Sequence, residues 1–189
     1  MNDELSRADI IRYFEEINRR LEAIGKRGEL ILAGGAAMSL VYNARDATQD
    51  IDALFAPKSD LRAIIADIAR ENGLRPDWLN DGVKGFFTKE MTFSEVLTYP
   101  HLSVYSMDAE SLLAMKLTSA RPYEKDLDDS IVLMRALNIQ TEEQLLDVIE
   151  KYIEKSRQTP QARFFAMQAF SEYREQLEKE NTTEKGPQL

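Results

Sequence analysis

The chain has 189 residues, of which 43% are apolar, and its 24 basic and 33 acidic side chains give a net charge of −9. The absence of cysteine excludes disulfides, zinc–thiolate sites and thiol catalysis, and a single histidine disfavours a histidine-based metal centre or a Ser/His/Asp hydrolase. The acidic balance disfavours a protein that wraps nucleic acid with a positive stripe, and without a membrane-length apolar run or a signal-peptide pattern we expect a cytoplasmic protein that makes no membrane contact.

The N-terminal part of the chain alternates helical patterns with short apolar strands. Residues 5–25 carry apolar side chains at the spacing of an amphipathic helix. A short strand then runs into Gly34 and Gly35, a helix follows directly, and Gly73 matches the left-handed residue that often closes a helix. The predicted order is a helix (5–25), a strand (29–33), a helix (36–42), a strand (50–55) and a helix (59–72).

After an irregular segment over 75–87, the rest of the chain is predicted to contain two strands and then only helices. Thr141 and Gln144 form the sequence pattern of a capping box. The predicted order is strands over 95–99 and 102–106, a helix from an Asp108 cap to Ser119, and helices over 126–137, 142–157 and 161–180. We therefore expect an α/β (α+β) fold with a small mixed sheet flanked by helices over 1–122, a C-terminal helical region over 123–180 and a disordered tail over 181–189.

Two aspartates in the second strand are the strongest functional signal. Because side chains alternate along a strand, Asp50 and Asp52 should lie on one face and Ile51 on the other. Two adjacent carboxylates repel each other unless a cation lies between them. Gly34 and Gly35 allow backbone amides to approach a phosphate closely. The combination predicts a divalent metal that bridges the oxygens of a nucleoside triphosphate, and hence nucleotidyl transfer.

These residues resemble the motif of a known superfamily. The segment Gly34-Gly35-Ala36-Ala37 is followed by Arg45, Thr48 and Asp50-Ile51-Asp52. The pattern is similar to that of the DNA polymerase β-like nucleotidyltransferase superfamily, and within it to bacterial members resembling the abortive-infection type IV toxin nucleotidyltransferases. The resemblance implies a sheet of the nucleotidyltransferase type, a Gly-Gly turn that contacts the triphosphate, and one or two Mg²⁺ (or Mn²⁺) ions held by the paired aspartates. It also implies nucleotide-binding roles for Arg45 and Thr48.

A second block, on later helices, also resembles this family. It consists of Leu112-Leu113-Ala114-Met115-Lys116-Leu117, then Arg121, Lys125-Asp126 and Asp129. A lysine and an arginine near the end of a helix suit the phosphates of a bound nucleotide, so Lys116 is a candidate catalytic residue. Arg121, Lys125 and Asp126 are candidates for nucleotide binding. The alternative is a solvated helix face on which Lys125 pairs with Asp129 four residues later.

A third carboxylate is not evident in the sequence. In the superfamily that residue takes the proton from the acceptor hydroxyl, and in two-metal phosphoryl transfer it completes the second metal site. Glu95 on a predicted strand is one candidate, and Asp77 and Asp81 in the irregular segment are others. The three alternatives remain open at this stage.

Two functions from different classes fit these patterns. The first is a metal-dependent nucleotidyltransferase that moves a nucleoside monophosphate from a nucleoside triphosphate to the hydroxyl of an RNA end, a protein or a small molecule. By analogy, the toxin-like resemblance implies tRNA or a protein as acceptor and an antitoxin as partner. The second is a non-catalytic nucleotide-sensing or partner-binding module on the same fold, which the missing third carboxylate and the acidic charge favour. A plain structural domain is a third, weaker interpretation.

Overall fold

The computed structural model describes residues 4–86, 88, 90–119 and 124–184, which form two compact units. The first unit spans Met1–Asp108 and the second spans Ala109–Leu189. This division falls earlier in the chain than the domain boundary expected after residue 122, because the helix that follows Asp108 makes its contacts with later helices. Within the described parts of both units, no helix combines the length and the hydrophobicity that a membrane crossing requires.

The first unit contains three helices and seven strands among its described residues. In chain order they are β1 (Leu5–Ser6), α1 (Arg7–Ala23), β2 (Gly28–Leu32), α2 (Gly34–Leu40), β3 (Ala47–Thr48), β4 (Ile51–Ala56), α3 (Lys58–Asn72), β5 (Leu79–Asn80), β6 (Phe93–Thr98) and β7 (Leu102–Met107). A short 3-10 helix, Gly82–Phe86, lies between β5 and β6. Each strand and helix predicted for this unit is present, with its ends shifted by a few residues.

Five of these strands form one mixed sheet in the order β5-β4-β2-β7-β6. Strand β2 pairs antiparallel with β4 on one side and parallel with β7 on the other. Strand β5 joins β4 in parallel, and β6 joins β7 antiparallel. The two-residue strands β1 and β3 pair separately. The structure confirms the predicted mixed sheet flanked by helices, with β4, the strand that carries Asp52, bonded on both sides.

Burial alternates along β4, as expected for a strand with one apolar face. Ile51, Ala53 and Phe55 are buried, whereas Asp52 and Leu54 are only half-buried. The buried face adds to a core that α1 and α3 complete with their own apolar sides. The fold therefore directs the carboxylate of Asp52 away from the core while the strand itself is held firmly by it.

Local sequence signals explain where several helices begin and end. The hydroxyl of Ser6 accepts a hydrogen bond from the backbone N–H of Asp9 (3.1 Å), and the Asp9 carboxylate accepts one from the backbone N–H of Ser6 (3.1 Å), which forms a capping box for α1. Gly73 closes α3 with a φ of +65°, a conformation that favours glycine.

Among its described residues, the second unit contains helices and their connecting segments but no strand. Its helices are α4 (Ala109–Leu117), α5 (Glu124–Ala136), α6 (Glu142–Tyr152) and α7 (Pro160–Glu184), with a short 3-10 helix, Lys155–Arg157, between the last two. The capping box of Thr141 and Gln144 is confirmed. Helix α6 ends before the predicted residue 157 because Ile153 adopts an extended conformation. Helix α7 continues past the predicted residue 180 to Glu184, and residues 185–189 lie outside the described part of the chain.

Candidate active site

The turn between β2 and α2 brings Gly34 directly against Asp52. Gly34 has a φ of +55°, and a Cβ atom at this position would lie 2.8 Å from Oδ2 of Asp52. The backbone also joins the two segments, since the N–H of Ala33 donates to the carbonyl oxygen of Asp52 (2.9 Å). Both the backbone conformation and the close approach require glycine here. The Gly-Gly turn and the Asp-Ile-Asp segment at the start of β4, separate in sequence, therefore form one surface.

Gly35 packs against two further residues of the predicted motif. A Cβ atom on Gly35 would collide with the hydroxyl of Thr48 and would lie 3.2 Å from Nη1 of Arg45. The Thr48 hydroxyl donates a hydrogen bond to the backbone carbonyl of Asp50 (3.1 Å). The structure thus brings together Gly34, Gly35, Arg45, Thr48, Asp50 and Asp52, all six of the candidates in the first unit.

The carboxylate of Asp50 is partly withdrawn from water. Burial raises its pKa, the nearby Asp77 raises it further, and Arg75 together with a hydrogen bond from Asn80 acts in the opposite direction. The side-chain amide of Asn80 provides this hydrogen bond, with 3.4 Å between its Nδ2 and Oδ2 of Asp50. Because its negative charge is costly in this environment, Asp50 is a group that gains from a bound cation.

The donor chemistry fits a divalent ion that shares its coordination with phosphate oxygens. Asp50 and Asp52 offer carboxylate oxygens, the hard ligands that Mg²⁺ prefers. Beside them the glycine turn brings its backbone closer to the Asp52 carboxylate than a residue with a Cβ atom would allow. Over the described residues, no group of three or more His, Cys, Asp or Glu side chains is arranged to hold a metal ion. These residues fit a magnesium ion bound by two carboxylates and completed by substrate oxygens, and they do not form a closed protein cage.

None of the three candidates for a third carboxylate joins Asp50 and Asp52 in such a group. Asp77 forms a bidentate ion pair with Arg75, whose hydrogen bonds lower the pKa of this carboxyl group. Asp81 pairs with Arg62 (3.1 Å) and Lys58 (3.6 Å). Glu95 is exposed on β6, opposite Tyr105 of β7. The polar side chain that does reach Asp50 is the amide of Asn80, which sequence reasoning missed. The available signal was its position between Asp77 and Asp81.

The candidates of the second block form a charge cluster inside the second unit. The ammonium of Lys116 lies 2.7 Å from Oδ1 of Asp126 and 2.8 Å from Oδ2 of Asp129. The Lys116 side chain is 11% exposed and that of Asp129 only 1%. Ser119 donates a further hydrogen bond to Asp126 (3.1 Å).

This cluster differs from the solvated helix face considered as an alternative. Asp129 faces Lys116 of α4 in the interior of the unit, while Lys125 is exposed on the neighbouring turn of α5. The cluster therefore joins α4 to α5, and the ammonium predicted to meet phosphate is already bound by two carboxylates. Arg121 lies outside the described residues.

Comparison with known proteins gives a family-level match. A family model described as a nucleotidyltransferase of unknown function (DUF6036) matches residues 8–178, which include every candidate residue of both units. No curated protein and no solved structure matches the chain.

Proposed function

Because the chain belongs to this family of nucleotidyltransferases of unknown function, we propose that it is a metal-dependent enzyme that moves a nucleoside monophosphate from a nucleoside triphosphate to an acceptor hydroxyl. The acceptor oxygen forms a bond to the α-phosphorus while the bond from that phosphorus to the bridging oxygen of the β-phosphate breaks. Pyrophosphate leaves, and the hydroxyl proton passes to a base or to solvent.

Five of the six candidate residues of the first unit have a distinct part in this proposal. Asp50 and Asp52 hold the Mg²⁺ or Mn²⁺ ion, which when bound neutralises charge on the phosphate oxygens. Gly34 and Gly35 let the backbone approach the triphosphate, and we assign the guanidinium of Arg45, which lies beside Gly35, to a phosphate oxygen. Lys116, Asp126 and Asp129 fix α4 against α5, and we assign them to the support of Lys125, the other nucleotide-binding candidate described on these helices.

The contact between Gly34 and Asp52 is the observation that carries the proposal. Packing alone gives no reason for this contact, since an ordinary turn with alanine or serine would pack as well. A glycine of positive φ also loses more conformational entropy on folding than other residues do. The arrangement is useful where a ligand must touch backbone and carboxylate together. A triphosphate with its metal ion is such a ligand.

Thermal unfolding with and without ligands tests this function. We expect a shift that needs both Mg²⁺ and one nucleoside triphosphate, because a ligand at one hundred times its Kd stabilises by about 2.7 kcal/mol, or about 5–10 °C for a chain of this size. The double variant Asp50→Ala/Asp52→Ala should lose the shift. Asp67→Ala, which removes an exposed carboxylate of the same unit, should keep it. The absence of any shift in a cooperatively melting wild type would refute the proposal.

The acceptor then needs a separate assay. Transfer of an α-labelled nucleotide to RNA ends, to tRNA, to proteins or to small hydroxyl compounds would identify the acceptor class. A partner that suppresses this transfer would match the toxin-like proposal, in which an antitoxin accompanies the enzyme. We propose tRNA or a protein as the first acceptors to be assayed.

A non-catalytic nucleotide sensor is the second candidate function. It is favoured by the finding that Asp77, Asp81 and Glu95 do not join the two site aspartates in a metal-binding group within the described residues. A sensor would bind the nucleotide with metal but release no pyrophosphate with any acceptor. Pyrophosphate release that Asp50→Ala abolishes would instead establish the enzyme.

A further inference from the structure

We propose that Asn80 is a positioning residue for Asp50, and that its side-chain amide stands where the sequence suggested a third carboxylate. The inference rests on the proposed function, since it concerns how the two site aspartates are held ready for the metal ion and the nucleotide. It assigns a role to β5, a two-residue strand that no sequence pattern indicated.

Backbone pairing places Asn80 beside the site. Strand β5 runs parallel to β4, and its register sets Leu79 opposite Ile51 and Asn80 opposite Asp52. The N–H of Ile51 donates to the carbonyl oxygen of Trp78 at 2.7 Å, which extends the pairing by one residue. Asn80 is therefore the strand neighbour of one aspartate and the hydrogen-bond donor to the other.

The start of this strand is anchored in the core. Trp78 is 1% exposed, its ring packs against Tyr13 at 5.0 Å between centroids, and its indole N–H donates to the carbonyl oxygen of Ile65 in α3 (3.1 Å). A buried tryptophan with its N–H satisfied fixes the backbone around it. The position of Asn80 relative to β4 is thus set by packing on the far side of the sheet.

The orientation of the Asn80 amide is also determined. The backbone N–H of Gly82 donates to Oδ1 of Asn80 (2.9 Å), so the oxygen of the amide faces Gly82 and the nitrogen faces Asp50. A Cβ atom on Gly82 would lie 2.9 Å from the same oxygen. The Nδ2 atom then donates to Oδ2 of Asp50 and to the carbonyl oxygen of Asp77, both at 3.4 Å, which is the long end of the hydrogen-bond range.

Electrostatics explains why an amide suits position 80 better than a carboxylate. A carboxylate would place a third negative charge against Asp50, whereas the Nδ2 group donates to it and leaves its other oxygen for a ligand. The flanking acids are held elsewhere, Asp77 by Arg75 and Asp81 by Arg62. The site therefore contains the carboxylates of Asp50 and Asp52 and the amide of Asn80, which orients Asp50. Hydrogen-bond partners of a metal ligand tune its affinity for the ion.

The test measures Mn²⁺ affinity by electron paramagnetic resonance, in the presence of non-hydrolysable analogues of each nucleoside triphosphate. We expect Asn80→Ala to weaken Mn²⁺ binding by about 10-fold or more, the range found when an outer-shell partner of a metal ligand is removed. Gly82→Ala, which pushes on the amide without touching Asp50, should weaken it in the same direction. The control Asn72→Ala removes an amide that donates to the carbonyl oxygen of Ile68 in α3, and it should leave Mn²⁺ affinity unchanged.

Asn80→Asp separates positioning from general stability. The new carboxylate would repel Asp50, so the metal-free variant should melt below wild type, and Mn²⁺ should restore most of the loss. Mn²⁺ affinity of Asn80→Ala and Gly82→Ala equal to that of wild type would overturn the role of Asn80 and leave the proposed function standing. A wild-type protein that binds no Mn²⁺ with any analogue would instead overturn the proposed function itself.

Discussion

Replacing Gly34 by alanine tests the geometry of the site most directly. The new methyl group would start 2.8 Å from Oδ2 of Asp52, whereas ordinary van der Waals contact begins at 3.4 Å. The carboxylate must therefore retreat by about 0.6 Å, slightly more than the 0.5 Å tolerance typical of a functional constellation. Gly34→Ala should displace the ligand oxygen without removing any charged group.

Two effects of this substitution can be separated in magnitude. The backbone cost of an alanine at positive φ is about 1–2 kcal/mol, which lowers the Tm by about 2–8 °C for a chain of this length. The displacement of Asp52 should in addition weaken binding of the magnesium–nucleotide complex by about 10–100-fold. Only the loss of ligand affinity depends on the displacement of Asp52.

Gly73→Ala is the matched control for the backbone cost. Gly73 has a φ of +65°, close to that of Gly34, but nothing lies within 4 Å of its Cβ position. Thermal unfolding should show a similar loss of stability in both variants, while the Tm increase caused by Mg²⁺ and nucleotide should persist in Gly73→Ala and largely disappear in Gly34→Ala. Equal ligand-induced increases in the two variants would refute the assignment of Gly34 to the site.

Three further changes test separate parts of the structure. Because burial raises the pKa of Asp50, the stability that this group contributes is present at low pH and is lost as the pH rises through its folded-state pKa. Asp50→Asn should therefore raise the Tm of the metal-free protein at pH 7. A gain in Tm that does not shrink as the pH falls toward 4 would contradict this expectation. Lys116→Met should lower the free energy of unfolding in urea by about 3–5 kcal/mol, because it removes the ammonium that pairs with Asp126 and with the buried Asp129. The same change at Lys151, which forms an exposed pair with Glu110, should leave the urea midpoint close to wild type. Ser6→Ala should cost about 1 kcal/mol by removing the N-cap of α1, which calorimetry would register as a Tm lower by about 2–4 °C.

Much of the fold was predictable because its signals are local. The short apolar run that ends at Phe55, two residues before Pro57, indicates a strand, and Gly73 marks the end of a helix. The two-residue strands were not predictable, since Leu5 and Ser6 or Ala47 and Thr48 are too short to show a period. Their pairing is fixed by tertiary contacts that no local pattern contains.

The candidate site could be predicted where it consists of charged residues and glycines, because these residue types stand out in the sequence. The candidates for a third acid were Glu95, Asp77 and Asp81. Asn80, between the last two, was missed because an amide carries no charge signal and β5 has no apolar period. The carboxylates that bind Lys116 were likewise not identified from the sequence. Spacing along α5 suggested a pair between Lys125 and Asp129, whereas the ion pair of Asp129 with Lys116 joins two helices and has no local spacing signal.

The place of β7 in the sheet affects the order in which a growing chain can assemble. Only α2 and β3 separate strands β2 and β4, which can pair early, whereas the parallel partner β7 completes the centre of the sheet only when Met107 has been made. By then Gly34, Asp52 and Asn80 have all been synthesised, and the second unit, which begins at Ala109, has not. During synthesis the sheet that carries Gly34, Asp52 and Asn80 can therefore form before the helix that carries Lys116 has been made.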